Sequence, residues 1–323
     1  MNRTRTPTRE GVIEAAAKVA AILPQTPLLP ATIGTETVWC KAEALQPVGA
    51  FKIRGAWNRL TALTDDERKR GVIGVSSGNH AQGVAWAAKR LGIAATIVMP
   101  NDAPAVKLDR VREMGAEVVI YDRPGGEDRD EIARALCDER SATLVHAYGD
   151  PWIIEGQGSA GIEISAQMEQ LAGGPPTRIV APCGGGGLTA GLALACPEAE
   201  IVPVEPEGWD DVCRSLETGQ IQRLGPNPPP TACDALQTPA TFPVNFEILR
   251  KRVTRGFTVS GAEVRAAQRF AFARLRLVIE PGGAAGLAAV LAGKVPVDGR
   301  TAVVLSGGNV DPANFAAVIA STD

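Results

Sequence analysis

The chain is 323 residues long, 45% hydrophobic and 21% charged, with a formal net charge of -3 at pH 7, which suits one large or two mid-sized folded domains with substantial cores. The acidic balance and the 4% aromatic content argue against a basic, base-stacking nucleic-acid surface. No stretch is apolar over the ~20 residues a helical span needs, and the N-terminus, with Arg3, Arg5 and Arg9, lacks an apolar signal core.

Residues 8–23 place Val12, Ile13, Ala16, Val19, Ala20 and Ile22 at helical spacing, and Pro24 closes the run. Residues 38–41 read as a short strand and residues 45–50 as a turn. Residues 54–63 form a helix with Trp57, Leu60 and Leu63 on its apolar side. From Gly71 the pattern becomes regular. Strand 72–75 is followed by a turn at 76–80 and a helix over 81–91. Strand 94–99, helix 106–114, strand 117–121, a solvent loop at 122–127, helix 129–139 and strand 143–146 complete the block. Such alternation predicts a parallel sheet with helices on its faces and right-handed crossovers.

Residues 152–170 read as a helix interrupted at Gly156 and Gly158. Strand 179–182 leads into four consecutive glycines, and a helix resumes over 188–195. Strand 201–204, a proline-rich loop at 225–230, helices over 264–274 and 284–291, and a last strand at 301–305 follow. The expected fold is α/β: two open twisted, mostly parallel sheets flanked by helices. Residues 71-149 are expected to form a small domain closing over a substrate, and residues 1-70 plus 150-323 a large domain, because motifs on both sides of the middle block must converge.

Six scattered cysteines, Cys40, Cys137, Cys183, Cys196, Cys213 and Cys233, form no C-x-x-C pair, and only two histidines exist. That argues against zinc and for reduced thiols in a cytoplasmic protein.

Four stretches carry chemistry. In Ala50-Phe51-Lys52-Ile53-Arg54-Gly55, one lysine stands among apolar and small neighbours. A desolvated lysine loses its proton more easily and can condense with an aldehyde; the competing reading is a surface charge. Ser76-Ser77-Gly78-Asn79-His80 precedes a helix, where a carboxylate or a helix cap belongs. Gly184-Gly185-Gly186-Gly187-Leu188 follows an apolar run and opens a helix, so its amides can cup a phosphate. A dinucleotide loop is the alternative: Gly184 and Gly186 fit it loosely and Glu205 supplies an acid further on, but Thr189 stands where a glycine belongs and Lys52 has no role. The fourth stretch is Ser306-Gly307-Gly308-Asn309, which also reads as a strand-end turn.

Together these stretches, from roughly Thr26 to Asp311, resemble the fold-type II pyridoxal-phosphate (PLP) enzymes with a tryptophan synthase β-like architecture, in particular the threonine/serine dehydratase and serine racemase family. The resemblance implies PLP held by Lys52, with Phe51, Asn79, the tetraglycine, Leu188, Glu280 and Ser306 around it. It implies a substrate carboxylate on Ser76, Ser77, Gly78, Asn79 and His80. Lys52 and Ser77 would stand on opposite faces of the cofactor. A neutral serine at position 306 leaves the pyridine nitrogen largely unprotonated, which suits elimination rather than transamination. Glu205 and Asp211, with the Trp209 carbonyl, match positions that hold Mg²⁺, Ca²⁺ or Mn²⁺ in racemase-like members; an acidic helix start is the competing reading.

The expected activity is an ammonia-lyase (EC 4.3.1 type) that converts a β-hydroxy amino acid, L-threonine or L-serine first, to a 2-oxo acid and ammonia. The alternatives are a serine or other amino-acid racemase, a hydroxyaspartate-type dehydratase, a nucleotide-binding oxidoreductase and a non-catalytic PLP binder. Two departures from the family pattern bear on substrate: Gly282-Gly283 replaces Ser or Thr after Glu280-Pro281, and Cys233-Asp234-Ala235 replaces Ala-Asp-Gly. A homodimer acting on a small amino acid, without a C-terminal regulatory domain and with no nucleic-acid or membrane partner, is expected.

Overall fold

The computed structural model describes residues 5–76, 78–103, 105–123 and 125–321. Helix α1 (Arg9–Ala20) is capped by the Thr8 hydroxyl, which accepts from the Gly11 amide. A hairpin follows, in which β1 (Leu28–Ile33) and β2 (Glu36–Lys41) pair antiparallel across a turn where Gly34 has φ +62°. Helix α2 (Lys52–Thr61) begins on Lys52 itself, two residues before the expected start. Helix α3 (Asp65–Arg70) carries a Thr64–Glu67 capping box.

The alternating block then runs β3 (Val72–Val75), α4 (Asn79–Leu91), β4 (Ala95–Pro100), α5 (Ala105–Glu113), β5 (Glu117–Tyr121), α6 (Arg129–Arg140) and β6 (Thr143–Val145). Its strands form an all-parallel sheet in the order β5-β4-β3-β6. Every residue of β4 is buried, as in a parallel strand covered on both faces. Because β3 lies between β4 and β6, the chain order reverses there. The crevice beyond the carboxyl end of such a strand is where open α/β sheets take ligands, and Ser76, Gly78, Asn79 and His80 lie there.

The remainder is α7 (Pro151–Leu171), β7 (Arg178–Pro182), α8 (Gly187–Ala195), β8 (Glu200–Pro206), α9 (Asp211–Thr218), α10 (Pro243–Arg252), β9 (Phe257–Val259), α11 (Gly261–Phe270), α12 (Pro281–Leu291), β10 (Thr301–Val304) and α13 (Pro312–Ala320). A π turn at Ala271–Leu275 extends α11. The second sheet has the order β1-β2-β10-β7-β8-β9, parallel except for β1–β2. Its strands flank the first sheet's block in sequence, and apolar clusters cover both of its faces. The two open, mostly parallel sheets flanked by helices are as expected.

One expectation fails. Helix α7 is continuous through Gly156 and Gly158. A Cβ on Gly156 would lie 2.5 Å from Gly55 Cα, and one on Gly158 would lie 2.6 Å from the Gly191 carbonyl oxygen. These glycines are contact points where α7 meets the backbones of α2 and α8; they do not break the helix. Gly191 returns the contact, since its Cβ would sit 2.4 Å from the Ile154 carbonyl oxygen. The obstacle is backbone, so Gly191→Val is expected to lower the unfolding free energy by about 3 kcal/mol. Urea denaturation would measure this as a lower midpoint at unchanged slope.

Candidate active site

Lys52 owes its position to the third residue of its helix. Arg54 is fully buried and bidentate on Glu43 (Nε–Oε2 2.6 Å, Nη2–Oε1 2.7 Å). It also holds Glu163 (Nη1–Oε1 2.7 Å, Nη2–Oε2 2.8 Å), which takes a further bond from buried Lys41 at 2.6 Å. Two cations and two anions thus neutralise one another and pin the first turn of α2 to β2 and α7.

The segment before Lys52 is tied to the end of β10. Ala50 bridges Gly307, the Phe51 amide donates to the Ser306 carbonyl at 3.0 Å, and the Gly308 amide donates to the Gly49 carbonyl at 2.9 Å. Lys52 Nζ lies 2.8 Å from the Ala147 carbonyl and 5.2 Å from the Phe51 ring centroid. Burial lowers its pKa to about 8.

Lys52 opens into a cleft between the ends of the two sheets. Phe51, Ser76, Gly78, Asn79, His80, Gly184, Gly185, Gly186, Gly187, Leu188, Glu280 and Ser306 also line it, so every described cofactor or substrate residue expected from the sequence meets there. Ser77 lies outside the described residues. Gly186, at φ +88°, is the N-cap of α8, so the first amides of that helix have no partner within it. A Cβ on Gly185 would lie 2.3 Å from the Tyr148 ring, and its carbonyl accepts from Asn245 Nδ2 at 2.6 Å and Thr241 Oγ1 at 3.1 Å. The tetraglycine is therefore a held cradle of backbone at a helix N-terminus, a form that receives phosphate.

Helix α4 is capped by Gly78 rather than by a side chain, which leaves Asn79 free for other bonds. Asn79 Nδ2 donates to Glu280 Oε1 at 2.6 Å, and Asn79 Oδ1 accepts from Asn309 Nδ2 at 2.8 Å. Burial, reinforced by Asp234, pushes the Glu280 carboxyl up to about 8. His80 Nε2 lies 2.8 Å from the Val145 carbonyl, which spends that nitrogen on the sheet. Burial, with Lys52 nearby, drops its pKa to about 3. His146, lowered to about 4 by burial, accepts the Gly149 amide at 2.8 Å.

Glu205, Trp209 and Asp211 do not line this cleft. Glu205 accepts the amides of Val212 and Cys213 at 3.1 and 2.7 Å, so it caps α9. Both oxygens of fully buried Asp211 lack a hydrogen-bond partner. Burial raises the two carboxyls to about 8 and about 7, and Asp211 adds to the shift of Glu205. An orphaned carboxylate beside a second acid fits an oxygen-liganded cation. No group of three His, Cys, Asp or Glu side chains that could hold a metal occurs among the described residues.

Sequence reasoning missed several residues of the cleft wall, including Lys107, Arg129 and Tyr148. Arg129 left a signal: it occupies the first residue of α6, where the helix dipole disfavours a cation.

Residues 20–307 match the family of pyridoxal-phosphate dependent enzymes. The chain is 41% identical over 317 residues to L-threo-3-hydroxyaspartate ammonia-lyase from Pseudomonas sp, covering 95% of this chain and 97% of that protein. Among solved structures it is similar to a threonine deaminase from T.th. (43% identity, TM-score 0.86, 94% and 99% of the two chains) and to maize serine racemase (32%, 0.89, 97% and 97%). The fold and cleft define a fold-type II PLP enzyme. The chain belongs to the pyridoxal-phosphate dependent enzyme family, with ammonia-lyases and racemases among its relatives.

The buried acids give stability a pH signature. Glu205, Glu280 and Asp211 have folded pKa values above their ordinary ones, so the folded state holds extra protons. His80 and His146 act oppositely, but only below their ordinary 6.5. Stability of the metal-free protein is therefore expected to fall as pH rises from 6.5 to 8. Thermal melting across that range would show it, and the slope should flatten in Glu205→Gln.

Proposed function

We propose that this protein is a PLP-dependent ammonia-lyase that converts a β-hydroxy amino acid to a 2-oxo acid and ammonia, with a substrate whose side chain carries a carboxylate. One observation carries the reading: an amine of lowered pKa, a glycine phosphate cradle and two further cations line one cleft. Lys107 and Arg129 bring to its wall positive charge that a methyl or hydroxymethyl side chain would not use. The hydroxyaspartate ammonia-lyase relative agrees with this choice.

In this reading Lys52 would hold the cofactor aldehyde, and the amides of Gly184–Leu188 would receive its phosphate. When bound, PLP supplies an electron sink for negative charge at the substrate α-carbon. Lys52 Nζ would take the α-proton; burial, by lowering its pKa to about 8, raises the fraction that is unprotonated at neutral pH. Ser306, its carbonyl held by the Phe51 amide, would offer the pyridine nitrogen a neutral hydroxyl. The Gly78 and Asn79 end of α4 orients the α-carboxylate with the help of the helix dipole. Asn79, held by Glu280 and Asn309, would bond the cofactor's phenolic oxygen.

Neutral substrates are the second reading, favoured by the Lys107–Asp234 ion pair at 2.7 Å, which already spends one of the cations. The racemase alternative turns on Ser77. A panel of L-threo-3-hydroxyaspartate, L-threonine and L-serine, assayed for 2-oxo acid and for chiral product, separates the three. Lys52→Ala is expected to lose the visible absorbance of the holoenzyme and at least about 1000-fold of its activity. A colourless wild-type protein would end the reading.

Glu205, the Trp209 carbonyl and Asp211 would hold Mg²⁺ or Ca²⁺ as a structural ion outside the cleft. Either ion is expected to raise the melting temperature more at pH 8 than at pH 6, where the acids are already protonated. Asp211→Asn should remove the effect.

A further inference from the structure

Val75, Arg129, Ala147 and Tyr148 line the cleft and also line an adjoining cavity of about 260 Å³. Arg129 and Asp130, at the start of α6, form one wall of that cavity. Arg223, from the loop after α9, residues 239–242 before α10 and Pro243 at its start form another. The charges of Arg129 and Arg223 both act on Tyr148.

The cations on these walls differ in how far they are already neutralised. Lys107 pairs with Asp234 at 2.7 Å, and Arg129 has Asp130 at 3.9 Å. Arg223 has no salt-bridge partner among the described residues. A guanidinium with no ion-pair partner among the described residues, on a cavity that shares four lining residues with the reacting cleft, leaves a positive charge for a ligand to satisfy.

We propose that Arg223 is a specificity-determining residue, which with Arg129 forms a subsite for the side-chain carboxylate of a dicarboxylic β-hydroxy amino acid. This rests on the dicarboxylate reading above. Two planar guanidinium groups from different walls can each offer paired N–H donors to one carboxylate. The first turn of α6 adds its positive dipole end beside Arg129. A methyl group in the same place satisfies neither arginine, so the subsite sorts substrates by charge at the β-position.

The test uses the holoenzyme and its Arg223→Gln and Arg223→Lys variants, with melting temperature as the control for folding. Two ratios are read: kcat/KM for L-threo-3-hydroxyaspartate over L-threonine, and competitive inhibition by succinate over butyrate, which has a methyl in place of one carboxylate. In Arg223→Gln both ratios are expected to fall about tenfold, the loss of one charged hydrogen bond, with the kinetic change mainly in KM. Arg223→Lys should recover part of each. If the wild type prefers threonine and binds butyrate as well as succinate, the dicarboxylate reading fails and Arg223 loses its role with it. If the wild type takes hydroxyaspartate and Arg223→Gln keeps both wild-type ratios, the reading stands and the role of Arg223 is overturned.

Discussion

The interaction on which this structure most depends is the buried double clamp of Arg54 on Glu43 and Glu163. Desolvating these charges is costly, and a set of apolar residues could fill the space at no loss of stability. What the charges provide is direction. A bidentate guanidinium accepts its partners in one plane and at fixed distances, so α2 cannot rotate or slide against β2 and α7 without leaving a carboxylate unpaired. The lysine two residues earlier inherits that precision. Arg59, one turn and a half further along α2, makes a single bond through Nε to Asp150, whose other oxygen caps α7.

A second set of bonds joins the two sheets at their ligand ends. The Gly307 strand end is stitched to Ala50, and Asn79 reaches from the crevice of the smaller sheet to Glu280 and Asn309 of the larger. Both are loop contacts at the carboxyl ends of strands, where backbone groups leave the ladder and become available. The tetraglycine at the end of β7 follows the same logic. Its missing side chains let Tyr148 approach the backbone, and Asn245 and Thr241 hold the carbonyl that would otherwise be free to turn.

Much of this was legible in the sequence because the motifs are local. The βα alternation from Val72 to Val145 follows from strand-length apolar runs punctuated by turns. Lys52, Asn79, the tetraglycine and Ser306 each sit in a short string whose residue types state their chemistry, and they converge in one cleft. What was not legible depended on partners far away in the chain. Gly156 and Gly158 look like helix breakers until Gly55 and Gly191 are seen against them. Strand β1 hides its character behind Pro30, which is tolerated because β1 is the edge of its sheet. Helix α9 is built on caps from Glu205 that no local pattern announces. Arg129 and Arg223 lie in charged, unpatterned segments, and only the fold brings them to one cavity.

That division has a consequence for how substrate choice can change. The motif residues are bonded to one another: Asn79 to Glu280 and Asn309, Phe51 to Ser306, Gly185 to Asn245. A substitution in any of them disturbs its partners, so this part of the cleft is fixed by mutual constraint. Arg129 and Arg223 are not tied in that way. Arg129 has one loose acidic neighbour, and Arg223 stands on an exposed loop beside the cavity. Residues so placed can be exchanged without rebuilding the cradle that serves the cofactor. A scaffold organised like this separates the reaction it performs from the molecule it performs it on. The three names carried by its relatives, hydroxyaspartate ammonia-lyase, threonine deaminase and serine racemase, fit that separation.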